Sequence, residues 1–298
     1  MSRRKGDLAE GDRLKTPGEH DVVIRDLRIH LCEAGHGPLV LMLHGFPEFS
    51  YEWRRQLPVI AAAGFRVVAP DQRGYALSDK PRRRCAYRVE ELAADVAALI
   101  ETCGEKSATV VGHDWGGIVA YYTAMLHPDR VDKLVILNAP HPAQFDRVLR
   151  RNPRQLLRSW YGAFFMLPVI PELLFRAGRW FAIRRILQRD AAAGAFTSED
   201  IERYVEAWSQ PGTTKATIDW YRALAYRRPG SLRHLWRPVD TPTLTLWGDR
   251  DRYLLPELAE PTAEWVPNRT TIRFPEASHW LPHDEPDRVS DEIIKFIR

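Results

Sequence analysis

Cysteine is scarce in this sequence. Cys32, Cys85 and Cys103 are the only three in 298 residues, odd in number and far apart. They make neither a disulfide framework nor a zinc-ligand spacing, so no metal is expected and a reducing cytoplasm is the expected compartment. Long apolar runs are missing too: no stretch approaches the ~18 residues that cross a bilayer, which argues against membrane insertion. The opening Met1-Ser2-Arg3-Arg4-Lys5-Gly6-Asp7 carries charge without the apolar segment of a secretory signal. Internal repeats and low-complexity segments are absent. With 45% hydrophobic and 28% charged residues, what remains is an ordinary globular chain and not a disordered one.

The net charge of +4 conceals an asymmetry. Residues 142–237 hold 17 Lys and Arg against 8 Asp and Glu, whereas the rest of the chain holds 26 against 31. Such a split suits nucleic acid, an anionic membrane or an acidic substrate, or simply a well-solvated surface. The arginines come as scattered pairs, Arg150-Arg151, Arg184-Arg185 and Arg227-Arg228, without stacking aromatics between them, so nucleic acid is not an expected partner. A homo-oligomer is compatible with the sequence.

The first twenty residues are polar and read as a flexible segment. From Asp21 the chain alternates, with short strands at Val22–Arg25 and Leu27–Leu31. Pro38–Leu43, Arg66–Ala69, Ala108–Val111 and Leu134–Leu137 are continuous apolar runs of the kind buried on both faces. Helical patterns lie between them at Trp53–Ala63, Val89–Cys103 and Gly116–His127. Strands alternating with helices predict a mostly parallel sheet flanked by helices. After Pro140 the rhythm becomes helical and aromatic, and strands return only at Thr243–Trp247 and Thr271–Phe274, before a last helix at Pro286–Ile297. The expected organisation is therefore an α/β core over residues 21–141 and 237–298, interrupted by a helical lid over residues 142–236. Ligands of open α/β sheets sit at the carboxyl ends of the strands, which such a lid would cover.

The chemistry concentrates in Gly112-His113-Asp114-Trp115-Gly116-Gly117. A buried strand runs straight into a helix through Gly-X-Asp-X-Gly, the arrangement of a nucleophile elbow, but with Asp114 where Ser is usual. Asp114 is either the nucleophile or merely the cap of the helix behind it. The chain order for such an elbow is nucleophile, acid, histidine. Among downstream histidines, His279 in Ala277-Ser278-His279-Trp280 follows the last strand, while His283 reads as solvent-facing. Two acids follow the strand Thr243–Trp247. Asp251, further along the loop than Asp249, is the one expected to reach the imidazole. Asn138, at the end of another strand, cannot serve as that acid. A second strand-to-turn junction, Leu43-His44-Gly45-Phe46-Pro47-Glu48, exposes backbone donors. The N–H groups of Phe46 and Trp115 are the expected oxyanion hole, with His44 shaping the turn.

Taken together, Leu43-His44-Gly45-Phe46-Pro47-Glu48, Asp71-Gln72-Arg73-Gly74-Tyr75, the Asp114 elbow and Ser278-His279-Trp280 resemble the α/β-hydrolase-fold epoxide hydrolases. The resemblance runs from about residue 20 to the end. It implies two lid tyrosines that hold the epoxide oxygen, which match Tyr161 in Trp160-Tyr161-Gly162-Ala163-Phe164-Phe165 and Tyr221 in Asp219-Trp220-Tyr221-Arg222. It also implies covalent attack by Asp114 on a ring carbon, then hydrolysis of the ester by water that His279 and Asp251 activate, with no cofactor. Trp160, Phe164, Phe165, Met166 and Trp208 are the expected pocket residues and point to an apolar or aromatic epoxide. Ala76 and Arg252 depart from the family's usual residues at their positions. Two rivals remain. A haloalkane or haloacid dehalogenase would share the Asp elbow, though Phe46 offers a halide no side-chain donor. A silent small-molecule-binding relative would not need Asp114, Asp251 and His279 together.

Overall fold

The computed structural model describes residues 17–226 and 230–298. Eight strands form one sheet in the order β1-β2-β4-β3-β5-β6-β7-β8. They are β1 (Gly18–Ile24), β2 (Leu27–Ala34), β3 (Leu39–Leu43), β4 (Arg66–Pro70), β5 (Ala108–His113), β6 (Val131–Leu137), β7 (Thr243–Gly248) and β8 (Arg269–Phe274). Pairings within β3 to β8 are parallel, and β2 joins both β1 and β4 antiparallel.

The apolar runs become central strands because both of their faces are covered. Leu39, Leu41, Leu43, Val110, Leu134 and Ile136 point into one core. Their chain neighbours Val40, Met42, Val111, Val135 and Leu137 point into the other. Period-two side-chain alternation thus feeds two apolar layers from one strand. Helices α2 (Val89–Thr102) and α3 (Trp115–Leu126) cover the first face. On the second lie α1 (Gln56–Ala62) and the C-terminal helix, Pro286–Ile297.

The flexible segment expected over residues 1–20 falls largely on residues 1–16, which lie outside the described residues, as does the Arg227-Arg228 pair. Its last part is corrected: β1 begins at Gly18 and pairs Gly18, Glu19 and His20 with Glu33, Cys32 and Leu31. A solvated edge strand needs no apolar pattern, because backbone pairing with β2 supplies its hydrogen bonds and polar side chains suit an edge.

Between β6 and β7 the described residues hold helices and no strand. They are α4 (Pro142–Arg151), α5 (Pro153–Arg158), α6 (Trp160–Phe165), α7 (Ile170–Asp190), α8 (Ser198–Ser209) and α9 (Thr213–Ala225). Local sequence explains several boundaries. Pro142 and Pro153 occupy first-turn positions, where a missing N–H costs nothing, behind the caps His141 and Asn152. Thr197 and Asp200 close a reciprocal capping box on α8. Helix α7 breaks its regular backbone at Ala177–Trp180. A short helix, α10 (Leu281–Asp284), precedes α11 (Pro286–Ile297).

The backbones of β3, β5 and α3 approach one another closely. A Cβ on Gly116 would stand 2.0 Å from the Leu43 carbonyl oxygen, and one on Gly112 2.4 Å from the Gly116 oxygen. Neither obstacle is a movable side chain. Gly116→Ala is therefore expected to lower stability by about 1–3 kcal/mol or more, as overpacking does. An unchanged urea midpoint for that variant would show that the strand–helix spacing is looser than this.

Candidate active site

At the end of β5 the chain enters Asp114 with φ 49° and ψ −118°, and α3 starts at the next residue. A non-glycine residue held there carries backbone strain of about 1–3 kcal/mol. The turn lifts the Asp114 carboxylate off the sheet and sets it at the N-terminus of α3, where unpaired N–H groups favour negative charge. The carboxylate does not cap that helix. Instead Oδ1 accepts the backbone N–H of Phe46 at 2.9 Å. Oδ2 lies 3.6 Å from Nε2 of His279.

The opposite nitrogen of the ring, Nδ1, lies 2.7 Å from Oδ2 of Asp251. Asp249, the other candidate acid, pairs with Arg273 at 2.7 Å and makes no contact with the imidazole. Asp251 is buried and well bonded: Oδ1 accepts from the N–H groups of Tyr253 and Leu254 at 2.7 and 2.9 Å. Burial alone would raise its pKa, but His279, the Asn138 amide and the Leu254 N–H outweigh that and keep it below the ordinary value. For His279 burial works downward, and the Asp251 and Asp114 carboxylates outweigh it, pushing the ring well above the usual histidine range. Both neighbouring carboxylates thus favour the protonated form of the ring.

A cavity of about 140 Å³ opens above Asp114 and His279. Tyr161 from α6 and Tyr221 from α9 both line it, their ring centroids 6.0 Å apart and their planes at 86°. Burial first, and the Asp114 charge second, raise the pKa of both phenols, so both stay protonated donors. Trp160, Phe164 and Phe165 line the cavity as expected, joined by Phe175, Ile183, Ile186, Tyr253 and Trp280. Met166 and Trp208 do not. Met166 lies just past the end of α6, and Trp208 is turned to the neighbouring loop, where its indole N–H donates to the Pro47 carbonyl at 2.5 Å.

Several polar residues at the site escape a motif search. Asn138 does more than vacate an alternative acid position. Its Nδ2 donates to Asp251 Oδ2 at 2.8 Å and to the Gly248 carbonyl at 3.2 Å, while its Oδ1 accepts the Gly248 N–H at 2.9 Å. His283 is a correction: it is fully buried, with Nε2 2.7 Å from Glu48. Phe196 from the helical segment and the Glu48 carboxylate cover it, which removes it from solvent. Glu48 also accepts from Tyr204. Beside it, His113 Nε2 donates to the His279 carbonyl at 2.8 Å, and Nδ1 lies 2.8 Å from Glu52. Burial and the Glu48 charge push the Glu52 carboxyl up to about 7. His44 takes the role expected of it: Nε2 accepts the Gln72 N–H at 3.0 Å, and its carbonyl accepts the Gln72 amide at 2.7 Å. A lone polar Asn ending the apolar run Leu134–Leu137 and a His next to the elbow are the sequence signals for Asn138 and His113.

The His279–Asp251 pair has a pH signature. A raised imidazole pKa contributes stability that is complete below the unfolded value near 6.5 and lost as pH rises through the folded value. The depressed Asp251 pKa contributes stability that is present above about 3.9 and lost as pH falls through its folded value. His279→Gln should therefore cost most between about pH 4 and 6.5, on the order of 3 kcal/mol, and progressively less in alkali. Urea midpoints of both proteins across pH would read the difference; a pH-independent gap would contradict the charged pair.

Known proteins share this fold. A sequence profile of the α/β-hydrolase fold family matches residues 38–286. The chain is 42% identical to the AB hydrolase superfamily protein YfhM of Bacillus subtilis, over 91% of this chain and 95% of that one. It is 39% identical to epoxide hydrolase 4 of Mus musculus, over 91% of this chain and 77% of the relative. A mutant of the epoxide hydrolase of Bacillus megaterium, solved with a naphthyloxy-propanediol as its product, superposes with a TM-score of 0.86 at 30% identity, covering 93% and 99% of the two chains. The chain belongs to the α/β-hydrolase fold family and, within it, to the epoxide hydrolases.

Proposed function

We propose that this protein hydrolyses an apolar or aromatic epoxide to a vicinal diol, through a covalent ester on Asp114. The observation that carries the reading is the placement of one carboxylate. Asp114 has a backbone N–H on one oxygen and the His279 ring 3.6 Å from the other. It faces a mostly apolar cavity that two protonated tyrosines share. The epoxide-hydrolase relatives support the same reaction class.

The chemistry follows from the groups. An Asp114 oxygen attacks a ring carbon, the carbon–oxygen bond of the epoxide breaks, and Tyr161 or Tyr221 protonates the departing alkoxide. With Asp114 now a neutral ester, one of the two charges that raise the His279 pKa is gone. The imidazolium releases its proton, which restores the phenol. Neutral His279, oriented by Asp251, then takes a proton from water, and hydroxide attacks the carboxyl carbon of Asp114. The N–H groups of Phe46 and Trp115 hold the oxyanion. Collapse expels the diol and returns both the carboxylate and the imidazolium. Water and epoxide are the only reactants, and no step calls for a cofactor.

The helical segment over residues 142–236 acts as the lid of this reaction, since Tyr161 and Tyr221 both come from it. A mostly apolar, aromatic chamber lowers the local dielectric and so strengthens polar contacts with the epoxide oxygen. The three free cysteines fit a reducing cytoplasm.

Two experiments test this. With styrene oxide, His279→Gln should accumulate an adduct on the Asp114 peptide equal in mass to the substrate, visible by intact-protein mass spectrometry. A folded variant that binds substrate and never forms the adduct would remove Asp114 as nucleophile, and halide release from a chloroalkane would move the reading to a dehalogenase. Replacing Tyr161 or Tyr221 by Phe should slow single-turnover alkylation by roughly 10²-fold or more for the pair together, the scale of one general acid, and less for either alone. Wild-type alkylation by the double variant would end the tyrosine assignment.

A further inference from the structure

The helical segment carries a surface that the reaction does not use. Of the 14 large hydrophobic residues exposed among the described ones, 10 fall between Leu156 and Ile186. Leu157 is 73% exposed, Trp160 66%, Leu173 63% and Phe181 62%. Scattered exposed apolar residues are ordinary, but this concentration within 31 consecutive residues is not. The chain over α5, α6 and α7 turns these residues outward, while Phe165, Ile183 and Leu187 turn inward.

Arginines interleave with the apolar residues. Arg151, Arg154 and Arg185 are exposed and make no ion pair among the described residues. Arg176, just before the α7 break, and Arg179, within it and paired with Glu202, are also exposed. The patch also adjoins the chamber: Trp160 and Ile186 are exposed at the surface and at the same time line the cavity over Asp114.

We propose that this face, from α5 through α7, docks peripherally on anionic lipid bilayers, with Leu157, Leu173 and Phe181 entering the acyl boundary and Arg151, Arg154 and Arg185 meeting lipid phosphates. Charge selects this occupant. A second copy of the chain would set arginine against arginine, whereas an anionic headgroup layer answers both the apolar residues and the cations around them. Among the described residues no helix is long and apolar enough to span a membrane, so the contact is interfacial. Docking would set the exposed edge of the chamber against the phase in which a lipophilic epoxide concentrates. The docking itself does not depend on the proposed reaction and is tested without it.

The test is co-sedimentation of the full chain with vesicles of phosphatidylcholine alone or with about 30% phosphatidylglycerol added, at low and high salt. Binding is expected to be at least about tenfold stronger on the anionic vesicles and to fall sharply in about 0.5 M salt, where the Debye length shrinks to a few ångströms. Arg151→Glu with Arg154→Glu and Arg185→Glu should lower the partition coefficient at least about tenfold. Leu157→Ser with Leu173→Ser and Phe181→Ser should do likewise on the same vesicles, with the thermal midpoint of each variant checking that it is folded. Equal binding to neutral and anionic vesicles, or none to either, would overturn the proposal. So would sedimentation velocity showing a dimer that the serine variants dissociate, which would give the face to a second copy.

Discussion

Everything at the site depends on one strained junction, the left-handed backbone of Asp114 between β5 and α3. The strain is tolerable only because Gly112, Gly116 and Gly117 let strand and helix approach to distances that no side chain would permit. That closeness brings β3 alongside, and the Phe46 N–H onto the carboxylate. An ordinary strand-to-helix turn would aim the Asp114 side chain elsewhere and leave the N–H of Phe46 without its partner. Local backbone energy is thus spent to fix the Asp114 carboxylate in place.

Around that oxygen the electrostatics are arranged in series. The Asp251 carboxylate stays charged despite burial because four hydrogen bonds converge on it, from His279, Asn138, Tyr253 and Leu254. Its charge supports the imidazolium, and the imidazolium supports Asp114. The proton affinity of His279 therefore depends on the charge at Asp114. The apolar lining, Phe46, Phe165, Phe175 and Trp280 among it, keeps the dielectric low enough for such coupling to matter.

The sheet was legible from the sequence because its central strands are unbroken apolar runs and its elbow is bounded by glycines. Positions on those runs, and the order Asp114, Asp251, His279, needed only local patterns. What stayed hidden lacked any such pattern. Residues 18–20 pair as an edge strand through backbone groups alone. His283 sits in a polar string, Pro282-His283-Asp284-Glu285, that looks solvated, yet Glu48, far away in sequence, takes it into the interior. Trp208 has the composition of a pocket residue, and only the path of α8 decides that its indole binds the Pro47 carbonyl instead.

The hydrogen bond from the His113 ring to the His279 carbonyl joins the residue before Asp114 to His279 itself. One imidazole thereby bolts the end of β5 to the loop after β8, two elements separated in the sheet by β6 and β7. A displacement of the end of β5 would be passed through this bond to the loop that carries His279, so the supports of Asp114 and His279 are tied together. The site is built like a calliper whose two jaws are mounted on a shared bar.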